Sequence, residues 1–203
     1  MDSNAWDERY AGADLVWTAV PNRFLVSEVE ALPAGRALDL ACGEGRNAVW
    51  LAERGWDVTG VDFSNVGLDK ARRLADARGV SVHWELADAT EYTPLPESFD
   101  LVIVMYLHLP EASRRLVFQQ AAAGVAPGGT LLVVGHDITN RSDGWGGPRD
   151  SAVLYGPDDV VADLDGLETV KAERVRRPVP TDDGEKIAID VLVRATRPPQ
   201  KRP

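Results

Sequence analysis

The chain lacks several features that mark particular classes of protein. Its 203 residues contain one cysteine, Cys42, so no disulfide can form within it, and the histidines His83, His108 and His136 are too dispersed for a metal site. The longest apolar run, 101–107, is far shorter than the roughly 20 residues that a membrane helix requires. The acidic N-terminus has none of the basic and apolar regions of a secretory signal. We therefore expect no metal, no membrane span and a cytoplasmic location.

Basic residues are also in short supply. The chain has 32 acidic residues against 22 lysines and arginines, which gives a formal net charge of −10. The bases gather only at 174–177 and in the tail at 197–202. Because a field of this sign repels a polyanion, we expect no nucleic-acid partner.

The length of the chain suits one domain. Single domains commonly reach about 250 residues, so a separate substrate domain does not fit. The hydrophobic fraction of 44% and the charged fraction of 27% are ordinary for a globular protein. We expect one domain over 1–197, with an N-terminal helical cap at 1–34 and a core at 35–197, followed by a disordered tail at 198–203.

What the chain does contain is a β-α-β unit at 36–64, around which the other elements are arranged. The apolar segment 37–41 predicts a strand, the turn at 42–45 supplies two glycines, and a helix follows at 46–53. A second predicted strand at 57–62 ends in an acidic residue. The unit therefore predicts a ligand loop between a strand and a helix.

The residues of this loop fit a nucleotide-like ligand. Residues 43–48 (GEGRNA) match G-x-G-x-x-G/A, in which glycines permit a tight turn and let a ligand approach the backbone. Asp62 lies 19 residues after Gly43, where a carboxylate can accept hydrogen bonds from ribose hydroxyls. Both observations predict a cofactor that contains a nucleoside.

Two further carboxylates indicate which kind of nucleoside-containing cofactor binds. Asp39 and Glu44 bracket the helix N-terminus at which a dinucleotide would place its pyrophosphate, and they would repel that dianion. The same carboxylates suit a cation. S-adenosylmethionine has an adenosine for Asp62, no phosphate, and a positively charged sulfonium and amino group for Asp39.

Longer segments carry a family resemblance. DLACGEGRN at 39–47 and VTGVDFS at 58–64 resemble the first two motifs of the class I S-adenosylmethionine-dependent methyltransferases, and PGGTLLVVGHD at 127–137 is similar to a later family segment. The resemblance covers about 35–197. It implies an α/β, Rossmann-like sheet of seven mostly parallel strands with helices on both faces, in the order 3-2-1-4-5-7-6 with strand 7 antiparallel. WDERY and PNRFL near the N-terminus resemble the small-molecule branch of the tellurite-resistance and thiopurine type.

Hydrophobic periodicity and turn residues predict the remaining elements. Helices are predicted at 4–12, 22–32, 64–78, 110–124 and 157–164, and strands at 80–86, 99–105, 130–136, 167–177 and 186–197. The stretch 138–156 is predicted to be irregular. It leaves the carboxyl end of a central strand, which is the edge at which open α/β sheets bind ligands.

The resemblance implies that cofactor contacts lie at the carboxyl ends of the first strands. Asp39 and the turn would hold the methionine part, Asp62 the ribose, and the segments after the second and third strands the adenine. The implied set is Asp39, Ala41, Cys42, Gly43, Gly45, Asn47, Asp62, Phe63, Ser64, Asp88, Ala89, Met105 and Tyr106. Alternatives remain open, since Asp88 is also typical of a plain turn and Arg46 and Asn47 could equally lie on the surface. Cys42 is expected to be a small turn residue and not a reactive thiol.

Methyl transfer requires few catalytic groups from the protein. Methyl transfer from a sulfonium is a direct displacement, so neither a nucleophile nor a metal is required. A base is needed only when the acceptor must lose a proton. The candidates by position are Tyr106, His108, His136 and Asp137, of which His108 could instead only lead into the next helix.

Four aromatic residues are candidates for a lid or for substrate contacts. Trp6 and Tyr10 share one face of a predicted helix, and Trp17 follows shortly after them. These three either pack on the sheet or form a cap over the cofactor, where an aromatic face attracts a sulfonium cation. Trp145 lies in the irregular stretch.

The sequence thus predicts transfer of a methyl group from S-adenosylmethionine to a small-molecule acceptor, which leaves S-adenosylhomocysteine. Family members that methylate planar amino groups carry an [Asp/Asn/Ser]-Pro-Pro-[Tyr/Phe] loop, whereas 104–107 reads VMYL here. One alternative is a protein that binds S-adenosylmethionine without transferring its methyl group. Another is a nicotinamide-dependent oxidoreductase.

Overall fold

Strands and helices alternate along most of the chain in the computed structural model, which describes residues 3–200. The helices are α1 (Ser3–Tyr10), α2 (Arg23–Val29), α3 (Arg46–Glu53), α4 (Asn65–Arg78), α5 (Glu111–Gly124), α6 (Asn140–Asp143) and α7 (Pro157–Ala162). The strands are β1 (Arg36–Leu40), β2 (Asp57–Asp62), β3 (His83–Leu86), β4 (Phe99–Met105), β5 (Val125–His136), β6 (Glu168–Thr181) and β7 (Gly184–Thr196). A 3₁₀ helix, Ser151–Val153, precedes α7.

These seven strands form one sheet in the order β3-β2-β1-β4-β5-β7-β6. Strands β1 to β5 are parallel wherever they pair, and β7 runs antiparallel to both β5 and β6. The predicted Rossmann-like sheet is confirmed. Because the strand order reverses at β1, a crevice forms between the carboxyl ends of β1 and β4, where such sheets bind ligands.

The centre of the sheet is covered on both faces. Residues 101–104 of β4 are fully buried, as expected for a parallel strand with helices on either side. Leu25 of α2 and Trp50 of α3 pack on one face. Phe118 of α5 and Tyr155 pack on the other. Apolar burial on both faces therefore holds the carboxyl edge of the sheet in place.

Local capping signals set the ends of α4. The Ser64 hydroxyl accepts a hydrogen bond from the Gly67 backbone N–H at 3.0 Å. Gly79 ends the helix in the left-handed region, with φ 66°. Both ends of α4 are therefore set by local residue types.

Some predicted boundaries differ from those of the structure. β3 begins at His83 and not at 80, because this edge strand pairs with β2 only along 59–62. β5 is longer than predicted and begins at Val125, which pairs with Phe99 before a shift in register. Both differences arise from pairing with a neighbouring strand.

The stretch 138–156 is more regular than predicted. It contains α6 and the 3₁₀ helix, and a parallel bridge joins Asp137 to Tyr155. β6 and β7 extend beyond their predicted ends to a tight turn between Thr181 and Gly184. Residues 1–2 of the predicted cap and 201–203 of the predicted tail lie outside the described residues. Within 3–200, no helix is long and apolar enough to cross a membrane.

Candidate active site

The glycine turn after β1 depends on backbone that only small residues tolerate. Ala41, Gly43 and Gly45 all have positive φ, at 59°, 56° and 77°. A Cβ on Gly45 would stand 2.6 Å from Cβ of Ala71 and 2.7 Å from Trp84. The turn therefore packs tightly against α4 and β3 and presents its backbone at the crevice.

Asp62, at the end of β2, fastens the loops on either side of it. Its Oδ2 accepts a hydrogen bond from Gly43 N at 2.8 Å, and its Oδ1 accepts one from Ser64 N at 2.9 Å. Burial raises the pKa of Asp62 above its ordinary value, while these backbone N–H groups act in the opposite direction. A carboxylate has about four acceptor positions, so Asp62 can still accept from ligand hydroxyls.

Asp39 is the unusual carboxylate of this site. It is fully buried, and neither of its oxygens accepts a well-formed hydrogen bond from residues 3–200. Burial raises the pKa of Asp39 from 3.8 to about 8, and the nearby charge of Asp62 adds to the shift. A buried carboxylate without a partner favours a cation beside it. These residues fit a ligand with a positive charge next to Asp39 and hydroxyl groups next to Asp62.

Glu44 does not take part in this site as expected. Its carboxylate pairs with Lys70 of α4 at 3.0 Å and accepts hydrogen bonds from the backbone N–H groups of Val16 and Trp17, at 3.0 and 2.9 Å. The charge of Glu44 is thus already compensated. The preference for a cation over a pyrophosphate rests on Asp39, and Glu44 holds the N-terminal segment against the turn.

The N-terminal segment forms a cap on the turn. Tyr10 is buried, and its hydroxyl lies 2.9 Å from the point where a Cβ on Gly43 would stand. The guanidinium of Arg9 lies 5.0 Å from the ring centres of both Trp6 and Trp17. The faces of those two tryptophans therefore contact an arginine, whereas they were expected to meet either the sheet or a sulfonium.

Two residues that open α3 have different environments. Asn47 is buried, and its Oδ1 accepts a hydrogen bond from the backbone of Asn22 at 2.9 Å, which ties α3 to the start of α2. Arg46 forms no ion pair within the described residues. Burial lowers the pKa of Arg46, and the nearby Asp39 carboxylate opposes this effect. Asn47 is thus engaged by the protein, while Arg46 is available to a ligand.

The other predicted cofactor residues lie in several settings. Cys42 is buried, and burial raises the pKa of its thiol, in agreement with a structural residue of the turn. The Oδ1 of Asp88 accepts hydrogen bonds from Thr90 N and Oγ1, both at 2.8 Å, so Asp88 does cap a turn. Ala89 and Met105 are buried at the ends of β3 and β4, and Phe63 follows β2.

A second polar cluster lies beyond the end of β4 and involves residues of β6 and β7. Asp190, which is fully buried, accepts hydrogen bonds on Oδ2 from the Tyr106 hydroxyl at 2.7 Å and from Arg177 Nε at 2.6 Å. Burial opposes the ionisation of Asp190, but His136, Arg177 and Tyr106 outweigh that effect and lower its pKa. Burial, with Asp190 next, raises the pKa of Tyr106 well above its ordinary value, so Tyr106 is a hydrogen-bond donor and is unsuited to act as a base.

His108 is held by the backbone. Its Nδ1 lies 3.4 Å from the Val153 carbonyl oxygen. Its Nε2 accepts a hydrogen bond from the backbone N–H of His136, with the two nitrogens 3.4 Å apart. Burial and the neighbouring His136 lower the pKa of His108 to about 4. With both ring nitrogens directed at backbone groups, His108 is poorly placed to accept a proton from a ligand.

His136 and Asp137 do not form a pair. Consecutive residues of a strand point to opposite faces, so His136 faces Asp190 while Asp137 faces Arg174. The Oδ1 of Asp137 accepts hydrogen bonds from Thr139 N at 2.8 Å and from Arg174 Nε at 2.9 Å. Asp137 therefore fixes the loop after β5 and lies on the far face from the cluster.

Sequence reasoning missed Asp190 and Arg177. The signal for Asp190 is a single acidic residue in the apolar strand segment IAIDVLV, since a buried carboxylate needs charged or hydrogen-bonding partners. No local pattern marks Arg177, because its relation to Asp190 depends on how β6 pairs with β7. Trp145 is exposed, and Lys186 Nζ lies 5.7 Å from its ring centre.

Comparison with known sequences supports the predicted family over part of the chain. Residues 37–129 match the family described as "Methyltransferase domain". This segment, somewhat less than half of the chain, carries the sequence features of a class I S-adenosylmethionine-dependent methyltransferase domain. S-adenosylmethionine is the cofactor of this family, and the nicotinamide-dependent alternative has no support.

Named relatives of the methyltransferase domain match part of the chain. Demethylmenaquinone methyltransferase of Thermus thermophilus is 38% identical over 126 residues, which are 61% of this chain and 55% of that protein. Trans-aconitate 2-methyltransferase of Rhizobium meliloti is 37% identical over 117 residues, which are 56% of this chain and 43% of that protein. The chain therefore spans about half the length of the curated relatives it matches.

The fold of the methyltransferase domain extends over nearly the whole chain. The N-methyltransferase NodS of Bradyrhizobium japonicum WM9, solved with S-adenosyl-L-homocysteine, superposes with a TM-score of 0.72 over 97% of this chain and 98% of that chain, at 20% identity. The matched family segment, 37–129, contains Asp39, Asp62 and Tyr106 but ends before the strand residues Asp190 and His136. The resemblance to the tellurite-resistance branch stays a prediction.

Proposed function

We propose that this protein transfers the methyl group of S-adenosylmethionine to a small-molecule acceptor by direct displacement. The observation that carries the proposal is the buried carboxylate of Asp39, which has no hydrogen-bond partner within the described residues and lies at the crevice between β1 and β4. The positively charged amino and sulfonium groups of the cofactor would compensate this charge. The same carboxylate would repel a pyrophosphate at that place.

The remaining cofactor contacts follow from the sheet. Asp39 and the backbone of the glycine turn would hold the methionine part, and Asp62 would bind the ribose. Phe63, Asp88 and Ala89 would surround the adenine. All of these residues lie at the carboxyl ends of β1, β2 and β3, which are neighbours in the sheet. Met105 and Tyr106, at the end of β4, would then lie beneath the methyl group.

Bound S-adenosylmethionine supplies an electrophilic methyl group, and the chain's own residues supply position and shelter. Glu44 and Lys70 hold the N-terminal segment, and Tyr10 covers the turn at Gly43. This cap would exclude water from the donor side of the site. We also propose that cap and core act as one domain over 1–197.

The acceptor belongs, in this proposal, to the class of small molecules. The two named relatives are enzymes for small molecules by their names, and a net charge of −10 opposes a nucleic-acid acceptor. The loop after β5 closes the acceptor side, with α6 and the bridge between Asp137 and Tyr155 holding it.

Calorimetry tests cofactor binding. We expect S-adenosylmethionine and S-adenosylhomocysteine to bind and NAD not to bind. Asp39→Asn should weaken the binding of S-adenosylmethionine by about 1.5–3 kcal/mol, since one hydrogen-bonded charge interaction is lost. Asp57→Asn is the matched control, because Asp57 is an exposed strand aspartate at the opposite end of the sheet. Binding of NAD would refute the proposal, and so would an affinity of Asp39→Asn for S-adenosylmethionine equal to that of the unmodified protein.

A turnover assay separates transfer from binding alone. Labelled S-adenosylmethionine would be incubated with thiols, phenols, amines and carboxylic acids, and the methylated products counted. Label in a product supports a transferase. Binding with no product across the panel would favour the alternative, a protein that only binds the cofactor.

A further inference from the structure

His136 and Asp190 form a cross-strand pair next to the proposed methyl position. The antiparallel register of β5 and β7 places the two residues directly opposite each other, so their side chains share one face. His136 Nδ1 lies 3.1 Å from Asp190 Oδ1, without the alignment of a well-formed hydrogen bond, and neither atom has another partner within the described residues. The Asp190 side chain is fully buried, whereas 13% of the His136 side chain is exposed. The ring is thus the part of the pair that a ligand can reach.

Asp190 is held so that it cannot turn away from the ring. Its other oxygen accepts hydrogen bonds from Tyr106 and Arg177. These two donors come from the end of β4 and from β6, so three separate segments of the sheet define the carboxylate position. With Asp190 ionised, the nitrogen facing it is the one that favours a proton.

The ring of His136 is also held from its faces. The His108 ring stacks on it with ring centres 5.3 Å apart and planes 19° apart. A Cβ on Gly147 would stand between 2.7 and 3.0 Å from three ring atoms, so only glycine fits there. Asn140 fastens this loop by donating to the Gly146 carbonyl at 2.9 Å and accepting from Ile189 N at 2.7 Å. The fold therefore orients the imidazole as closely as it orients Asp190.

We propose that His136 is the general base of methyl transfer and that Asp190 is its positioning residue, so that the acceptor is a hydroxyl or ammonium compound. This inference rests on the proposed function. With the ring proton on Nδ1, the nitrogen beside the Asp190 carboxylate, Nε2 carries the lone pair that accepts the proton. Thiols and carboxylic acids ionise readily near neutral pH and would not need such a pair. The ring centre of His136 is 5.0 Å from that of Tyr106, which places the base beside the proposed methyl position.

The proposed step balances in atoms and charge. The acceptor's lone pair forms a bond to the methyl carbon, and the carbon–sulfur bond breaks with its electron pair on sulfur. His136 Nε2 takes the proton from the acceptor oxygen or nitrogen, and the proton then leaves for solvent. Asp190 stays ionised and stabilises the imidazolium that forms.

The other titratable and charged groups around His136 have different roles. His108 is neutral, with its ring nitrogens directed at backbone groups. Tyr106 donates its hydroxyl to Asp190, and Arg177 is paired with the same carboxylate. Within this cluster of described residues, His136 is the side chain whose geometry suits proton acceptance.

Nitrogen-15 spectra of the histidine rings test the geometry without an acceptor. With S-adenosylhomocysteine present at neutral pH, the neutral form of His136 should be the Nδ1–H tautomer, and Asp190→Asn should shift it toward Nε2–H. His83, an exposed histidine paired with Asp57, is the internal control and should not respond. A neutral Nε2–H tautomer in the unmodified protein would overturn the proposal, because Nε2 could then not accept a proton.

Kinetics of His136→Gln test the chemistry, with His83→Gln as the matched control. S-adenosylhomocysteine binding should change by less than roughly threefold, while single-turnover rates with a phenol or an alkylamine probe should fall by about 100-fold or more. Asp190→Asn should lower kcat with little change in KM and shift the pH profile, and Asp190→Glu should restore part of the rate. Retained rates in His136→Gln, or turnover confined to thiol and carboxylic acid probes, would overturn the proposal. If the unmodified protein does not bind the cofactor, the proposed function is wrong. If it binds the cofactor but methylates no probe, the tautomer of His136 decides whether the present proposal holds.

Discussion

Lys70 Nζ lies 3.0 Å from Glu44 Oε1, and both side chains are almost completely buried. The pair joins the glycine turn to α4, and the same carboxylate binds the backbone of Val16 and Trp17. Lys70 Nζ also donates to the carbonyl of Asp14 at 2.6 Å. One buried ion pair thus connects the cofactor turn to its cap.

Lys70→Met should destabilise the protein by about 3–5 kcal/mol, because it leaves the Glu44 carboxylate buried without its cation. Urea unfolding would measure the loss. The double variant Lys70→Met/Glu44→Gln should recover part of it, since no unpaired charge remains. Arg78→Met is the control, because Arg78 pairs with Glu53 at the surface, where such pairs contribute about 0–1 kcal/mol. Equal losses in Lys70→Met and Arg78→Met would contradict the prediction.

Asp39 should make stability depend on pH. Its pKa is raised from 3.8 to about 8 in the folded protein, so folding favours the protonated carboxyl. This stabilisation is complete below the unfolded pKa and is lost as pH rises through the folded one. The free energy of unfolding should therefore fall across this window by up to about 1.4 kcal/mol per pH unit from this group.

Asp39→Asn is the variant that isolates this contribution. It should remove the slope and raise the melting temperature at pH 8, while cofactor affinity falls. Thermal unfolding of both proteins at several pH values measures the difference, and Asp57→Asn controls for loss of an aspartate. Parallel pH profiles for Asp39→Asn and the unmodified protein would refute the assignment.

Gly43→Ala should destabilise the native conformation of the glycine turn for two separable reasons. The new methyl group would stand 2.9 Å from the Tyr10 hydroxyl oxygen, and the backbone is held at φ 56°. We expect weaker cofactor binding and a lower melting temperature. In a Tyr10→Phe background the steric part should vanish, leaving the backbone cost of roughly 1–2 kcal/mol. If Tyr10→Phe brings no recovery, the cap does not contact the turn as described.

Asp62 should affect both affinity and stability. Asp62→Ala should weaken S-adenosylmethionine by roughly 1–3 kcal/mol through the lost ribose contacts. It should also destabilise the unliganded protein, because the N–H groups of Gly43 and Ser64 lose their acceptor. Asp62→Asn keeps one carbonyl oxygen, so its cofactor affinity and stability should lie between those of Asp62→Ala and the unmodified protein. Calorimetry and urea unfolding on the same samples distinguish the effects, and unchanged affinity would place the ribose elsewhere.

Much of the fold was predictable because its signals are local. The helix Arg46–Glu53 and the strands Asp57–Asp62 and Phe99–Met105 have the predicted bounds. A glycine turn, a serine cap and an apolar run each act over a few residues, so they can be read without knowing the partners. β3 and β5 were misjudged because strand ends depend on the neighbouring strand.

The candidate site divides in the same way. Asp39 and Asp62 are predicted as cofactor contacts from local sequence, since each lies at or next to the end of a strand of the β-α-β unit, and this role stays a prediction. Glu44 was misassigned because its partner, Lys70, lies 26 residues away on another helix. Local sequence says that a carboxylate is present, but not which cation reaches it.

By itself the sequence determined the methyl donor, because the turn proposed to bind it is built from consecutive residues whose conformations follow from glycine and strand propensity. Only the tertiary structure decided which groups form the second polar cluster, beside which we propose that the acceptor binds. His136 is next to Asp137 in sequence, yet it faces Asp190, 54 residues later. Alternation along β5 sends neighbours to opposite faces, and the register with β7 supplies the partner. That register is a property of the assembled sheet, which no local pattern encodes.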